Sequence, residues 1–388
     1  MNEGLAAIRK EAARETGMDF QVLDMGPVVL EAGAVEQITP YLESCRYTKV
    51  IIVADKTTFL IAGQSLEAAI AKAGIAVHVT LISPNPQGDV IADEASLVQC
   101  LLDLKSQSAE VVVAVGSGTL HDIARFSAYA TSVPFVSVPT APSVDGFNSK
   151  GAPVILRGEK KTIQSIGPSA IFADLNILAQ APPSLVAAGF GDMLGKFTSL
   201  FDWKFGAMTG GEPYSQAVAD ITENALRQCV EQVDAIAKRT PEGIRILTDA
   251  LLTSGFAMLL FGQSHSASGA EHHLSHYWEM EFLRLERRQI LHGAKVGVAC
   301  AEISALYHRL TNEPLPFLTA DQQEAARQLI GQVPNEAAIR QLLAAVGGPS
   351  EPRDLGIDEA LLERSLREAH HIRPNRYTLL RAYNEGSL

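Results

Sequence analysis

The run Glu110-Val111-Val112-Val113-Ala114-Val115-Gly116-Ser117-Gly118-Thr119 decides the fold. Its apolar residues follow one another with no polar alternate, so neither face is offered to water. That is the pattern of a strand buried on both sides of a parallel sheet. Glycines end the run, and Leu120 to Ala130 reads as a helix. A strand turning through glycines into a helix N-terminus lets the backbone approach a pyrophosphate, whose charge that N-terminus favours. A purely structural strand–helix turn has the same composition, and the third glycine of a Rossmann fingerprint is missing here.

Outward from this run the pattern alternates. Val50–Val53, Ala76–Ile82, Phe135–Val138 and Ile171–Ala173 read as strands, with Leu66–Ala73 and Ala92–Leu104 as helices between them. Strand–helix alternation at this spacing predicts a doubly wound parallel sheet. Pro153–Leu156 and Lys161–Ile166, joined across Arg157-Gly158-Glu159-Lys160, predict an inserted hairpin. Gly4 to Thr16 reads as a short amphipathic helix or arm. From Pro182-Pro183 onward strand signals vanish and helical periodicity takes over, at about 183–208, 213–238, 241–263, 270–285 and 290–309. The expectation is an α/β fold: a Rossmann-like parallel-sheet domain over residues 1–178, then an all-α domain over 179–388.

Composition narrows the function. Of 388 residues 47% are hydrophobic and only 6% aromatic, which suits an aliphatic core of α/β layers and packed helices. A net charge of −12 gives no electrostatic case for nucleic acid or an anionic membrane surface. Cys45, Cys100, Cys229 and Cys300 are scattered, with no CxxC spacing and no disulfide framework, so reducing cytoplasm is expected. The N-terminus has neither the basic nor the apolar region of a signal peptide. The longest apolar run, Leu251 to Phe261, is too short to span a bilayer and reads as a buried helix.

The helical half carries the chemistry. Ser268-Gly269-Ala270-Glu271-His272-His273-Leu274-Ser275-His276 and Leu291-His292-Gly293 hold four of the ten histidines. On a helix His272 and His276 stand one turn apart on one face. Asp192 lies in an apolar, helix-period run from Leu185 to Phe201. A buried carboxylate needs a partner, and a divalent cation is among the best. Two imidazoles and a carboxylate with an open position are the donors of a catalytic zinc-type site. The bland alternatives are an Asp192–Lys196 pair on a wet helix face and histidines satisfied in the core. Asp55, at a strand end, can accept from ribose hydroxyls and repel a 2′-phosphate, or can simply cap the helix before Thr57-Thr58. The loop Pro139-Thr140-Ala141-Pro142-Ser143-Val144-Asp145-Gly146-Phe147-Asn148-Ser149-Lys150 leaves the sheet at its carboxyl end, where ligands bind in such folds.

Taken in order, Asp55, the GSGT turn, the PTAPSVDG loop, GFGDMLGK, SGAEHHLSH and LHGAKVG resemble the dehydroquinate synthase-like / iron-containing alcohol dehydrogenase superfamily over nearly the whole chain. PTAPSVDGF and the EHxxSH spacing most resemble the sn-glycerol-1-phosphate dehydrogenases, and the length and the tail His371 to Leu380 their bacterial, AraM-like branch. The resemblance implies reversible, NAD(P)H-dependent reduction of dihydroxyacetone phosphate to sn-glycerol 1-phosphate. It implies NAD(H) or NADP(H) as cofactor, held by Asp55, by Gly116, Ser117, Gly118, Thr119 and Leu120, and by Thr140, Ser143 and Ser149. It implies one divalent metal ion, zinc, nickel or iron, on Asp192, His272 and His292. Asp145, Asp192 and His276 would contact substrate, with His276 and Asp192 catalytic. The choice of His272 over His273 rests on the EHxxSH register. A cytoplasmic homodimer or higher homo-oligomer is expected, with no nucleic-acid or membrane partner. The alternatives are a dehydroquinate synthase-like sugar-phosphate cyclase or another metal-dependent polyol dehydrogenase. Dehydroquinate synthases usually carry Glu in an E-x-x-K setting where this chain has Asp192.

An acidic chain must meet a substrate phosphate with local cations. Lys150, Lys196, Arg287, Arg288, Arg373 and Arg376 are the candidates by position. For the cofactor, Asp55 makes NADH at least as good a reductant as NADPH. Asp55→Ser is expected to shift preference toward NADPH, and a wild-type enzyme strongly preferring NADPH in steady-state assays would show that Asp55 faces elsewhere.

Overall fold

The computed structural model describes residues 25–386. The helix expected over Gly4 to Thr16 lies outside the described residues. Six strands form one parallel sheet in the order β1-β8-β5-β4-β2-β3. They are β1 (Val28–Glu31), β2 (Lys49–Ala54), β3 (Ala76–Leu81), β4 (Val111–Gly116), β5 (Phe135–Pro139) and β8 (Ala170–Asp174). A separate antiparallel pair, β6 (Gly151–Leu156) and β7 (Glu159–Gln164), is the expected hairpin. Its two-residue turn places Arg157 at φ 55° and Gly158 at φ 75°, the left-handed pair that matches strand twist.

β4 is buried along its whole length. Val111, Val113 and Val115 face one layer with Val50, Ile52, Leu66 and Ile70, while Val112 and Ala114 face the other with Leu97, Leu104 and Ile123. Both faces are therefore dry, which is why the sequence shows no alternation there. The helices of these layers are α1 (Ile38–Ser44), α2 (Gln64–Lys72), α3 (Glu94–Ser106) and α4 (Gly118–Thr131). Strand β1 was not expected. It is four residues long, only half-buried and without alternation, and it is held by parallel pairing with β8, a contact 143 residues away at Val28↔Ile171.

All described elements after β8 are helical. The principal ones are α5 (Pro183–Leu194), α6 (Lys196–Gly210), α7 (Gln216–Glu231), α8 (Pro241–Phe261), α9 (Ala270–Arg284) and α10 (His292–Leu310). Proline at N1 starts α5 and α8, where its missing N–H costs nothing. The stretch expected as one helix over 183–208 is two helices meeting at Gly195, where a Cβ would come within 2.5 Å of Val296 Cγ1. The stretch expected over 213–238 breaks at Gln232. Helix α8 is long and apolar enough to cross a membrane by length and composition, yet 78% of its most apolar window is buried against the rest of the fold.

Helices α5 and α10 cross with their backbones in contact. A Cβ on Gly191 would lie 2.5 Å from the Gly293 carbonyl oxygen, and one on Gly293 only 1.9 Å from that of Ala188. Glycine is required at these positions by space, since neither has a positive φ. The crossing sets Asp192 beside His292. Gly293→Ala is expected to cost at least the ~1–3 kcal/mol typical of overpacking, because the neighbour is backbone and cannot rotate away. Thermal denaturation and metal content of the purified variant check this, and unchanged values for both would contradict it.

Candidate metal and substrate site

A cavity of about 550 Å³ opens between the carboxyl ends of the strands and the helical half. Helices α9 and α10 bring His272, His276 and His292 to its wall, and α5 sets the fully buried Asp192 beside them. One ligand atom each from Asp192, His272 and His292 lies within 4.8 Å of the others. The ring centroids of His272 and His292 are 5.2 Å apart, and His276 stands 6.1 and 5.9 Å from them. Asp192, His272 and His276 are buried, and His292 is half-buried at the cavity wall.

Each donor is aimed by a second contact. The Glu271 carboxylate takes His272 Nδ1 at 2.7 Å, which leaves Nε2 turned toward Asp192, 3.9 Å from its Oδ1. Glu271 is itself fixed by Thr198 Oγ1 at 2.7 Å and the Gly269 N–H at 2.6 Å. Such outer contacts set the tautomer and orientation of a ligating histidine. Asp192 Oδ2 accepts from the Asp145 N–H at 2.8 Å, and Lys196 Nζ lies 3.3 Å from Oδ1. The same ammonium is 2.8 Å from Asp145 Oδ2, which also accepts from Ser254 Oγ at 2.8 Å. The Asp192–Lys196 pair is thus real, but it is buried, not on a wet face.

Burial, reinforced by Asp145, pushes the Asp192 carboxyl up to about 7, against the pull of Lys196. Burial works against the Lys196 charge, but Asp145 and Asp192 hold its pKa above the ordinary value. Burial holds His272, His276 and His292 well below the usual imidazole value, so all three are neutral at neutral pH. Two carboxylates around one ammonium leave a buried negative excess beside neutral imidazole nitrogens. That donor set fits a divalent cation, and oxygen with nitrogen ligands is compatible with zinc, nickel and iron alike. His273 is fully buried away from this cluster, and neither ring nitrogen has a hydrogen-bond partner among the described residues.

The sheet side of the same cavity carries Asp55, Ser117, Gly118, Thr119, Leu120, Ser143, Asp145 and Ser149. Ser117 precedes α4 and makes no side-chain capping bond, so the first-turn N–H groups remain for an anion. Gly116 and Thr140 are not on the wall; the Thr140 N–H donates to the Gly116 carbonyl at 3.0 Å, tying the turn to β5. Asp55 does cap the one-turn helix Lys56–Thr58, its Oδ1 accepting from the Thr58 N–H at 2.7 Å, and it also lines the cavity. Both readings of Asp55 therefore hold geometrically.

Three wall residues had no place in the sequence reading: Lys160 from the hairpin, Glu279 from α9 and Lys295 from α10. Glu279 Oε2 is 2.7 Å from Lys160 Nζ and 2.8 Å from Lys295 Nζ. Burial opposes the Glu279 charge, but the two ammonium groups hold its pKa far below the usual carboxylate range. Burial pulls Lys295 down to about 8. A signal existed for two of them, because Glu279 follows His272 and His276 on one helical face, and Lys295 follows His292 by three. Lys160 carried none, since its reach across the cleft is a tertiary event. Among the phosphate candidates, Arg287 lies over the Phe282 ring, exposed Arg288 pairs with Asp89, Lys196 is buried between its acids, and Arg376 sits 3.4 Å from Glu212. Lys150 and Arg373 do line the cavity.

Residues 29–182 match the iron-containing alcohol dehydrogenase family. A glycerol-1-phosphate dehydrogenase [NAD(P)+] of Geobacillus stearothermophilus is 48% identical, with 99% of each chain covered. The chain belongs to the glycerol-1-phosphate dehydrogenase family. The Bacillus subtilis (strain 168) member is 42% identical over 98% of this chain and 97% of its own. Among solved structures, a probable glycerol dehydrogenase from Sinorhizobium meliloti superposes with a TM-score of 0.69 at 18% identity, covering 93% of this chain and 95% of its own. A 1,3-propanediol oxidoreductase does so with a TM-score of 0.69 at 16% identity, covering 94% and 97%. These two show the fold: a Rossmann-like sheet followed by helices, as the motifs led us to expect.

If Asp192, His272 and His292 hold the metal, removing any one of these donors should remove the ion. Asp192→Asn and His272→Ala are expected to purify folded but without stoichiometric metal, read by elemental analysis and circular dichroism. His273→Ala should retain the metal; the reverse outcome for the two histidines would move the ligand by one position.

Proposed function

We infer that the chain is a metal-dependent oxidoreductase that reversibly reduces dihydroxyacetone phosphate with NAD(P)H to sn-glycerol 1-phosphate. The observation that carries this reading is the meeting, in one cavity, of a glycine turn at a helix N-terminus with His272 and His292, whose ligand atoms lie within 4.8 Å of a buried Asp192 oxygen. The relatives named glycerol-1-phosphate dehydrogenase over the whole chain support it. We assign residues 1–178 to the cofactor half and 179–388 to the metal and substrate half.

Asp192, His272 and His292 would hold the ion, zinc, nickel or iron, which would lend Lewis acidity at this site, and a bound nicotinamide would be the hydride source. This chain's residues do the rest. The N–H groups after Ser117 and the Ser143 and Ser149 hydroxyls hold and orient the dinucleotide. Asp145, pinned by Lys196 and Ser254, presents a fixed carboxylate to the substrate hydroxyls. His276 is neutral and inside the site, so it can take the alcohol proton in oxidation and return it in reduction.

NADH oxidation by metal-reconstituted enzyme tests the reading. Consumption should be stoichiometric with dihydroxyacetone phosphate and much faster than with unphosphorylated dihydroxyacetone. Product formation without net NADH consumption from a sugar phosphate would instead indicate a cyclase. His276→Ala is expected to slow turnover by about 10²–10⁴-fold, the range for a positioned acid–base group, while leaving bound metal in place.

A further inference from the structure

We propose that Arg373 binds the phosphate group of the substrate, and so sets the preference of this site for a phosphorylated ketone. The proposal rests on the reading of the site as a dihydroxyacetone phosphate reductase and adds the residue that recognises the dianion.

Most cations set into or around this cavity already have a carboxylate. Lys196 lies between Asp145 and Asp192, Lys160 and Lys295 share Glu279, Arg125 pairs with Asp122, and Arg376 with Glu212. Arg373 is different. It lines the cavity that holds His272, His276 and His292, yet its side chain meets no carboxylate among the described residues. Its hydrogen bonds both come from Nη1, to Ser268 Oγ at 2.6 Å and Ser264 Oγ at 3.4 Å. Those hydroxyls hold the guanidinium plane in place without neutralising it. Nε and Nη2 make no hydrogen bond to the described residues, and together they present the edge that fits two oxygens of a phosphate. Burial, then the charge of Arg376, pull the Arg373 pKa down to about 10, so a second cation already crowds it and an anion would relieve both costs.

Its position selects the substrate over the cofactor. Ser264 and Ser268 belong to the segment leading into α9, the helix of His272 and His276, and line the same cavity. The Arg373 charge bears directly on both of those imidazoles. Lys56 and Lys150 also line the cavity without a carboxylate, but Lys56 follows Asp55 at the end of β2 and Lys150 follows Ser149 in the loop from the sheet, on the side assigned to the dinucleotide.

The test compares Arg373→Ala, Arg373→Lys, Lys160→Ala and Lys150→Ala in metal-reconstituted full-length enzyme, with dihydroxyacetone phosphate and with dihydroxyacetone. Loss of one charge-assisted, two-pronged contact should raise KM for dihydroxyacetone phosphate about 100-fold in Arg373→Ala, with kcat/KM for dihydroxyacetone within about threefold of wild type. Arg373→Lys keeps a charge near the serines and should fall between, which preserves the test if the alanine variant does not fold. Free guanidinium ion should restore part of the lost activity toward dihydroxyacetone phosphate in Arg373→Ala and do nothing for wild type. Equal losses on both substrates, or discrimination lost in Lys160→Ala or Lys150→Ala but kept in Arg373→Ala, would overturn the proposal while leaving the substrate reading intact. A wild-type enzyme inert toward dihydroxyacetone phosphate but active on another carbonyl compound would overturn the substrate reading itself.

Discussion

The backbone contact between α5 and α10 is the constraint on which the site depends. Helices with ordinary side chains at their crossing keep their axes 8–10 Å apart. Here Gly191 and Gly293 remove the side chains, and each glycine meets the facing carbonyl groups directly. Asp192 and His292 are the neighbours of those two glycines in sequence, so the closeness of the backbones becomes the closeness of the donors. Helix α9 then brings His272 alongside them as a third donor, and Glu271 fixes which of its nitrogens faces Asp192. Sites of this kind are as exact as the rigid elements that carry them.

Electrostatics explains how a chain of net charge −12 can host anionic ligands. The cations that matter are not spread over the surface but drawn into one cavity and trimmed by carboxylates to a local balance. Asp145 and Asp192 both stand around the single buried ammonium of Lys196, and a divalent ion beside Asp192 would offset the second acid. Lys160, Glu279 and Lys295 sum to one positive charge on the wall. Replacing the shared partner, Lys196 in one trio or Glu279 in the other, leaves two like charges unpaired in a poorly solvated place, a loss of ~3–5 kcal/mol when a buried pair is broken. The Lys160–Glu279 contact also joins the hairpin to the helical half, so the same pair that shapes the field spans the cleft.

Much of this was legible in the sequence because the signals are local. The unbroken valine run of β4 could be read as a doubly buried strand, since burial on both faces erases alternation within six residues. The four-residue spacing of His272 and His276 predicted a shared helical face, and the prolines at 182–183 marked where strands give way to helices. Asp192 could be singled out because a lone acid in an apolar helix demands a partner. The register between His272 and His273 was legible only through likeness to known motifs, since both lie on the same short helix and differ by one step of 100°.

Tertiary structure alone decided the rest. Strand β1 exists because β8, far along the chain, offers it a ladder; its own four residues carry too little pattern. Gly195 reads as a helix residue until Val296 from α10 is seen to occupy the space of its Cβ. Lys160 reads as a turn lysine until the hairpin is placed across the cleft, and Arg373 reads as a tail arginine until the tail is seen to reach the cavity without meeting an acid. The sequence by itself determined the order of elements, the donor types and the acid–base chemistry, because these depend on neighbours within a few residues. Which cations are neutralised and which remain for a ligand depends on contacts between residues more than a hundred positions apart, such as Arg373 with Ser268 and Arg376 with Glu212, and only folding sets those.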